Sequence, residues 1–320
     1  MSKPPIFVVG RQHSGNTLLV SILDNHPAVL GLKNEGTFFE HQDRLRTLSR
    51  QLTVKRIAQI IEGGTEREDV PRQSLEEHLQ RSLRRDGGTP GDLYRRGMRW
   101  FASKEEAVQW AQKATSYIFY VDSILGAIPD ARLIFLARNP LDIAASLKRR
   151  GEWRRTLRMV WGWNRGTATA VQWTDTDPER VKVVRYEDLV RVPQETMREI
   201  CSFVDIEFED DLLEIPHVNR SETPYNQESD TAGVNASRLH YYSDVLSPEE
   251  EAVVRSWTDT ELLKRCYPDL PAPRAYNATV RVLTTVRALG ASAQTILVDH
   301  AGTFVSDPHH VFDRIRRRLG

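Results

Sequence analysis

The chain has 320 residues, 40% of them hydrophobic, with 44 Lys and Arg balanced by 44 Asp and Glu. This content supports a sizeable core, in two domains or in one α/β domain with appendages. The zero net charge argues against general nucleic-acid binding. Apolar runs stay well below the ~20 residues of a membrane-spanning helix, and the N-terminus lacks a secretory pattern. Two cysteines, Cys201 and Cys266, exclude a disulfide framework and argue against a cysteine zinc site. We therefore expect a cytoplasmic protein without a metal.

The first 27 residues predict a strand, a glycine loop and a helix. The apolar run 6–9 ends at Gly10 and is typical of a buried strand in a parallel sheet. Residues 17–25 carry an apolar helical stripe at positions 18, 19, 22 and 23. His26 and Pro27 end this helix, because proline disfavours the helical conformation of the residue before it.

Residues 40–112 are rich in charge and are interrupted by glycines, which predicts two or three surface helices. Leu75, Leu79 and Leu83 mark one amphipathic face. Two interpretations of the charges remain open: a solvated face, or a lid over a substrate cleft.

Two further buried strands are predicted at 131–137 and 181–186. Asn139 suits a helix N-cap and Pro140 the first helical position, which predicts a helix to about Arg150. Further helices are predicted near 194–204 and over 248–264. Repeated strand, loop and helix units indicate a parallel, right-handed α/β sheet. We predict a P-loop-like three-layer α/β/α domain over 1–267, with 40–112 as a helical insertion and 268–320 as a helical C-terminal extension.

The loop after the first strand has the spacing G-x-x-x-x-G-x-T from Gly10 to Thr17. Successive backbone N–H groups and the start of a helix together attract an anion such as phosphate. A nucleotide-hydrolysing P-loop requires lysine where this chain has Asn16. The loop therefore predicts phosphate binding without ATPase or GTPase activity, with an ordinary glycine turn as the alternative.

Two motifs resemble the sulfotransferases that use 3′-phosphoadenosine 5′-phosphosulfate (PAPS). Residues 11–17, Arg-Gln-His-Ser-Gly-Asn-Thr, are similar to the 5′-phosphosulfate loop of the family, and residues 18–27 after them are similar to its tyrosylprotein and bacterial branch. Arg138-Asn-Pro followed by Ser146 is similar to the second family motif. The resemblance covers residues 5 to about 267 and is weakest over 40–112.

The resemblance implies a donor site built from both motifs, and it implies no metal. The expected PAPS-binding residues are Arg11, His13, Ser14, Gly15, Asn16, Thr17, Arg138, Ser146, Arg150, Tyr186 and Arg238. Among them, Arg138 and Ser146 would take the 3′-phosphate, Arg150 is placed to join them, and Tyr186 would contact the nucleotide.

The catalytic residues expected from the resemblance are Glu35, His13 and Lys113. Glu35 is the candidate base for the acceptor hydroxyl. The family usually has Lys or Arg at His13; beside a bound anion this histidine should have a raised pKa and could donate a proton. Lys113 resembles the lysine that approaches the sulfuryl group in the tyrosylprotein branch. Each of these residues could instead be an ordinary surface or loop residue.

The predicted reaction transfers the sulfuryl group from PAPS to an acceptor hydroxyl, or to an amine, and releases 3′-phosphoadenosine 5′-phosphate (PAP). Glycan, lipid, peptide and small-molecule acceptors stay open, as does the oligomeric state. Two alternatives are a small-molecule kinase with a degenerate loop, which would require Mg-ATP, and a non-catalytic nucleotide-binding protein.

Overall fold

The computed structural model describes residues 3–65, 71–214 and 239–306. Its centre is a five-stranded sheet in the order β2-β3-β1-β4-β5, in which every pairing is parallel. The strands are β1 Ile6–Val9, β2 Val29–Leu32, β3 Gln109–Lys113, β4 Arg132–Ala137 and β5 Val181–Arg185. The predicted α/β class with a central parallel sheet is confirmed.

Helices cover both faces of this sheet. In chain order they are α1 Asn16–Asp24, α2 Phe38–Leu45, α3 Arg50–Gly63, α4 Arg72–Asp86, α5 Pro90–Lys104, α6 Val121–Ala127, α7 Pro140–Arg149, α8 Thr156–Thr176, α9 Tyr186–Arg191, α10 Pro193–Val204, α11 Tyr242–Val245, α12 Pro248–Trp257, α13 Thr260–Cys266 and α14 Ala278–Ser306. Within the described residues, none is long and apolar enough to cross a membrane.

Some boundaries differ from the sequence expectation. Between β2 and β3 the described residues, 33–65 and 71–108, form four helices, α2 to α5, instead of two or three. The helix expected over 248–264 is two helices, because the Asp259 side chain accepts hydrogen bonds from the Glu261 and Leu262 N–H groups and starts α13. Strand β3 was not predicted, since its sequence QWAQK contains no continuous apolar run.

The alternating side chains of β1 enter two separate cores. Phe7 and Val9 pack with α2 to α6 on one face, whereas Ile6 and Val8 pack with α1 and α10 on the other. The two free cysteines are buried in different places. Cys201 lies in the α1–α10 core, and Cys266 lies in a third core formed around α7, α8 and the helices after residue 239.

The last helix, α14, packs on α8 and α12 through its smaller side chains. Ala288 is buried, and Ser292 Oγ donates to the Arg154 carbonyl at 3.1 Å. Of its larger apolar residues before residue 293, Val282, Leu283 and Val286 are exposed, Val286 by 61%. The linker before α14 is fixed by Arg274, whose guanidinium donates to buried Glu251 at 2.5 Å and to the Leu246 carbonyl at 2.8 Å.

Candidate active site

The parallel sheet brings the carboxyl ends of its strands together along one edge. Val8 in β1 is in register with Lys113 in β3 and with Ile134 in β4. The loop after β1, the end of β3 and the turns after β4 and β5 therefore lie side by side. This edge is where open α/β sheets bind ligands.

The loop after β1 ends at Gly15, the N-cap of α1, in a left-handed conformation with φ 94°. A Cβ atom at this position would lie 2.5 Å from the Tyr186 ring, which is closer than any side chain tolerates. Glycine is thus required both for the backbone turn and for the approach of Tyr186. Inside the loop, the Ser14 N–H donates to the Arg11 carbonyl at 3.1 Å.

Asn16 closes this loop from within. Its Nδ2 donates to the Gly10 carbonyl at 3.2 Å and to the Arg11 carbonyl at 3.4 Å. The position that holds lysine in a nucleotide-hydrolysing loop therefore holds a buried amide bonded to the loop's own carbonyls. Thr17 follows in the first turn of α1 and is partly exposed.

Arg138 connects the turn after β4 to the loop. Its side chain is 6% exposed, and Nη1 donates to the His13 carbonyl at 2.8 Å. The guanidinium carbon lies 4.3 Å from the Tyr186 ring centroid and 5.9 Å from that of Tyr241. Both distances fall within cation–π range, so the two rings hold Arg138 in place.

The turn that carries Arg138 is itself built from buried polar contacts. Trp163 Nε1 donates to the Arg138 carbonyl at 2.9 Å, and the Asn139 N–H donates to the buried Glu187 carboxylate at 2.8 Å. Asn139 caps α7 by accepting from the Leu141 N–H at 3.0 Å, so the predicted N-cap is confirmed.

His13 lies where the site's positive charges meet. Burial and the nearby guanidinium groups of Arg150, Arg138, Arg11 and Arg155 together lower the pKa of His13 to about 4, with burial the largest cause. The sequence analysis expected a raised pKa for His13 beside a bound anion, whereas without an anion its pKa is lowered. Within the described residues, His13 Nε2 and Ser14 Oγ are buried without a hydrogen-bond partner. This arrangement fits an anionic ligand.

Arg155 was missed by the sequence reasoning, although the pair Arg154-Arg155 follows Arg150 closely in the chain. Its Nη1 pairs with Glu152 at 2.9 Å. Ser146 is buried in α7, and its carbonyl accepts from the Arg150 N–H at 3.3 Å. The predicted residues Ser146 and Arg150 therefore lie one turn apart at the end of α7.

Arg238 lies outside the described residues. Shortly after it, the His240 and Tyr242 N–H groups donate to the two carboxylate oxygens of Asp142 at 3.1 and 3.0 Å. Burial raises the pKa of Asp142 to about 6. The Tyr241 hydroxyl donates to the Asp142 carbonyl at 2.9 Å. Asp142, in the first turn of α7, thus fixes this segment to that helix.

The predicted residues Glu35 and Lys113 meet at the end of β3. Lys113 Nζ lies 3.3 Å from Glu35 Oε1, and the Thr115 N–H donates to Glu35 Oε2 at 2.8 Å. The Glu35 side chain is 45% exposed and that of Lys113 is 14% exposed. A carboxylate that faces solvent therefore lies beside a largely buried ammonium group. Within the described parts of the chain, no group of three or more His, Cys, Asp or Glu side chains is placed to hold a metal.

The parallel sheet and its glycine loop define a P-loop-like fold. The profile of the sulfotransferase family matches residues 4–210, and the chain belongs to this family. The fold is similar to the sulfotransferase domain of the Synechococcus PCC 7002 olefin synthase, with a TM-score of 0.52 and 18% identity. That alignment covers 84% of this chain and 96% of the other.

Two other similarities are more limited. The sulfotransferase domain from the curacin biosynthetic pathway aligns with a TM-score of 0.44 and 20% identity, over 90% of this chain and 99% of that domain. An uncharacterised protein of Aquifex aeolicus is 26% identical over 223 residues, or 67% of this chain. This chain covers only 27% of the length of that relative.

Proposed function

We propose that the protein transfers the sulfuryl group of PAPS to an acceptor hydroxyl, or to an amine, and releases PAP. The hydrogen bond from buried Arg138 to the His13 carbonyl carries this proposal. It joins the two phosphate-binding motifs into one positively charged site, and a donor with phosphates at both its 5′ and 3′ positions needs two such elements.

In this proposal the loop holds the 5′-phosphosulfate. Its backbone N–H groups, Ser14 Oγ and the start of α1 face the anion. Arg138, Ser146 and Arg150 take the 3′-phosphate, and Arg238 adds a further positive charge. Charge-assisted hydrogen bonds of this kind are about twice as strong as neutral ones.

The transfer proceeds in line between two oxygens. Glu35 accepts the proton of the acceptor hydroxyl while the acceptor oxygen forms its bond to sulfur. The bond from sulfur to the bridging phosphate oxygen breaks, and its electron pair stays on the departing PAP. Lys113, beside Glu35, offsets the charge that develops on that oxygen. As in phosphoryl transfer, positioning and charge stabilisation supply most of the catalysis.

The contacts of Asn16 argue against the kinase alternative, because the amide closes the loop instead of contacting a γ-phosphate. The acceptor belongs to one of four classes, a small molecule, glycan, lipid or peptide, and turnover of labelled PAPS against a panel of these identifies it. Both cysteines are free thiols, which fits a reducing compartment, and we place the reaction in the cytoplasm.

Calorimetric titration tests the donor. Without added metal, PAP should bind with a Kd near micromolar, which corresponds to about −8 kcal/mol. AMP and Mg-ATP should each bind at least about tenfold more weakly, since neither offers a 3′-phosphate to Arg138. Binding of Mg-ATP in preference to PAP would contradict the proposal.

A further inference from the structure

A groove on the helical insertion lies between α2 and α3. It is lined by His41, Arg44, Leu45, Leu48, Leu52, Lys55, Arg56 and Gln59, and its volume is about 490 Å³. The α3 side contributes Leu52, Lys55, Arg56 and Gln59 at the spacing i, i+3, i+4 and i+7, which places them on one helical face; the other side consists of three α2 residues and Leu48 in the connection that follows. The groove is therefore about two helical turns, or ~10 Å, in length.

The two ends of the groove differ in polarity. Residues 46–49 join the two helices, so Leu45, Leu48 and Leu52 meet at the joined end. Leu45 is buried, Leu48 is partly buried and Leu52 is 53% exposed. Lys55 and Arg56 lie one turn further along α3, and both are exposed. The joined end thus carries the leucines with exposed Arg44 beside them, and the far end carries Lys55 and Arg56.

Positive charge is concentrated around this groove although the whole chain is neutral. Residues 41–59 contain five Lys and Arg and one acidic residue, Asp43. Asp43 pairs with Arg46 at 3.6 Å, away from the end that carries Lys55 and Arg56. Within the described residues, Lys55 and Arg56 have no acidic partner, and Arg56 donates only to the Gln59 amide oxygen at 3.2 Å. These two cations can therefore bind an anionic group.

We propose that this groove binds a single-chain amphiphilic anion. Its phosphate, sulfate or carboxylate head pairs with Lys55 and Arg56, and its alkyl chain lies on the accessible surfaces of Leu48 and Leu52. The volume is within the range of small-molecule sites, about 300–1,000 Å³. Only Leu52 among the three leucines is exposed, so the joined end matches one alkyl chain better than the surface of a bilayer. This site is separate from the donor site and does not depend on the proposed function.

Octyl phosphate, kept below its micelle concentration, is the probe. Calorimetric titration in saturating PAP, and again with the Arg138→Ala variant, separates the groove from the donor site. We expect saturable binding of one molecule under both conditions. Octanol lacks the charge and inorganic phosphate lacks the chain, so each should bind at least about tenfold more weakly.

Matched variants assign the binding to the groove. Lys55→Glu with Arg56→Glu should weaken octyl phosphate binding at least tenfold, whereas Arg81→Glu with Arg84→Glu, on the exposed surface of α4, should change it less than twofold. Both variants should keep the PAP affinity and melting temperature of the original protein, which shows that they fold. If PAP fails to bind but octyl phosphate behaves as described, only the proposed function fails.

Three outcomes would overturn the proposal. The first is the absence of saturable binding, and the second is binding that the Lys55 and Arg56 substitutions leave unchanged. The third is a preference of the groove for a macromolecular surface. This would appear as sedimentation with phosphatidylglycerol vesicles, or as displacement of octyl phosphate by an acidic amphipathic peptide, that is lost in the Lys55 and Arg56 variant.

Discussion

His13 combines two features that a loop residue rarely has together. Its backbone is left-handed, with φ 69°, and its imidazole lies among four guanidinium groups. Burial and these charges lower its pKa to about 4, so the ring is neutral at pH 7 in the free protein. A bound phosphate or sulfate adds negative charge beside the ring and favours its protonated form.

PAP binding should therefore be coupled to proton uptake by His13 between about pH 5 and 6. With a free pKa of about 4, the ring enters the complex neutral and gains a proton as its pKa rises, so this contribution to affinity decreases as pH rises. Calorimetry in buffers of different ionisation enthalpy measures the uptake. His13→Asn tolerates the left-handed backbone and serves as the control, because it retains the titration of PAP itself. Equal uptake by both proteins would contradict the coupling.

The ion pair of Glu35 and Lys113 predicts different effects for its two members. Glu35→Gln keeps the size of the side chain but cannot accept the acceptor proton, so kcat should fall by about 10²-fold or more. Its PAP affinity should stay within about twofold. Steady-state turnover of labelled PAPS and calorimetry measure the two quantities. Near-normal kcat in Glu35→Gln would remove this residue from the role of base.

Lys113→Ala should also lower kcat, because it removes the positive charge beside the departing phosphate oxygen. Activity that survives Lys113→Ala but is lost in His13→Asn would assign the charge role to His13.

At the scale of elements, the sequence predicted the strands and helix caps that depend only on residues close together in the chain. Strand β1 was predicted with its exact bounds, and the N-cap at Asn139 follows from residue type alone. Strand β3 was not predicted because two of its buried side chains are glutamines. One of them, Gln109, donates to the Val204 carbonyl at 2.9 Å, a partner 95 residues away. Such burial depends on tertiary contacts that a local pattern cannot contain.

The candidate site follows the same division. The two motifs predicted that Arg138 and the loop form one site, but the contacts of Asp142 with the segment after Arg238 link positions about 100 residues apart. Arg155 is likewise brought to the site by the turn between α7 and α8, which no residue pattern marked.

Asp142→Asn should weaken PAP binding about tenfold or more. The amide has one acceptor oxygen instead of two, so a backbone N–H of the 240–242 segment loses its charged partner, a bond worth about 1.5–3 kcal/mol. Tyr241, whose ring lies near Arg138, would then be held less firmly. Calorimetry measures the affinity, and Asp244→Asn, at an exposed position of α11, is the control. Unchanged PAP affinity in Asp142→Asn would show that the anchor does not support the donor site.

At the scale of the whole molecule, the linker before α14 is held by hydrogen bonds to the helices that precede it. Arg274 bonds to Glu251 and to the Leu246 carbonyl, so the linker belongs structurally to α11 and α12. Helix α14 follows these contacts and leaves Val282, Leu283 and Val286 exposed.

A chain that ends at Asn277 should fold and bind PAP within about twofold of the full chain. It keeps Arg274 and every described residue of the candidate site, and among the described contacts it loses those of α14 with α8, with α12 and with the Arg154 carbonyl. Circular dichroism and calorimetry check this. A further truncation after Pro271 removes Arg274 and should lower the melting temperature relative to the Asn277 chain. Loss of PAP binding at Asn277 would mean that the extension contributes to the site.

Cys201 and Cys266 are buried in different cores, so their thiols can report separately on the local opening of each core. A thiol reagent can modify either sulfur only when its core opens, so each labelling rate reports one local opening equilibrium. Alanine at one cysteine leaves the other as the only thiol in the chain. Comparing the two labelling rates with and without PAP would show whether bound PAP slows opening around α7 and α8, around α1 and α10, or in both cores.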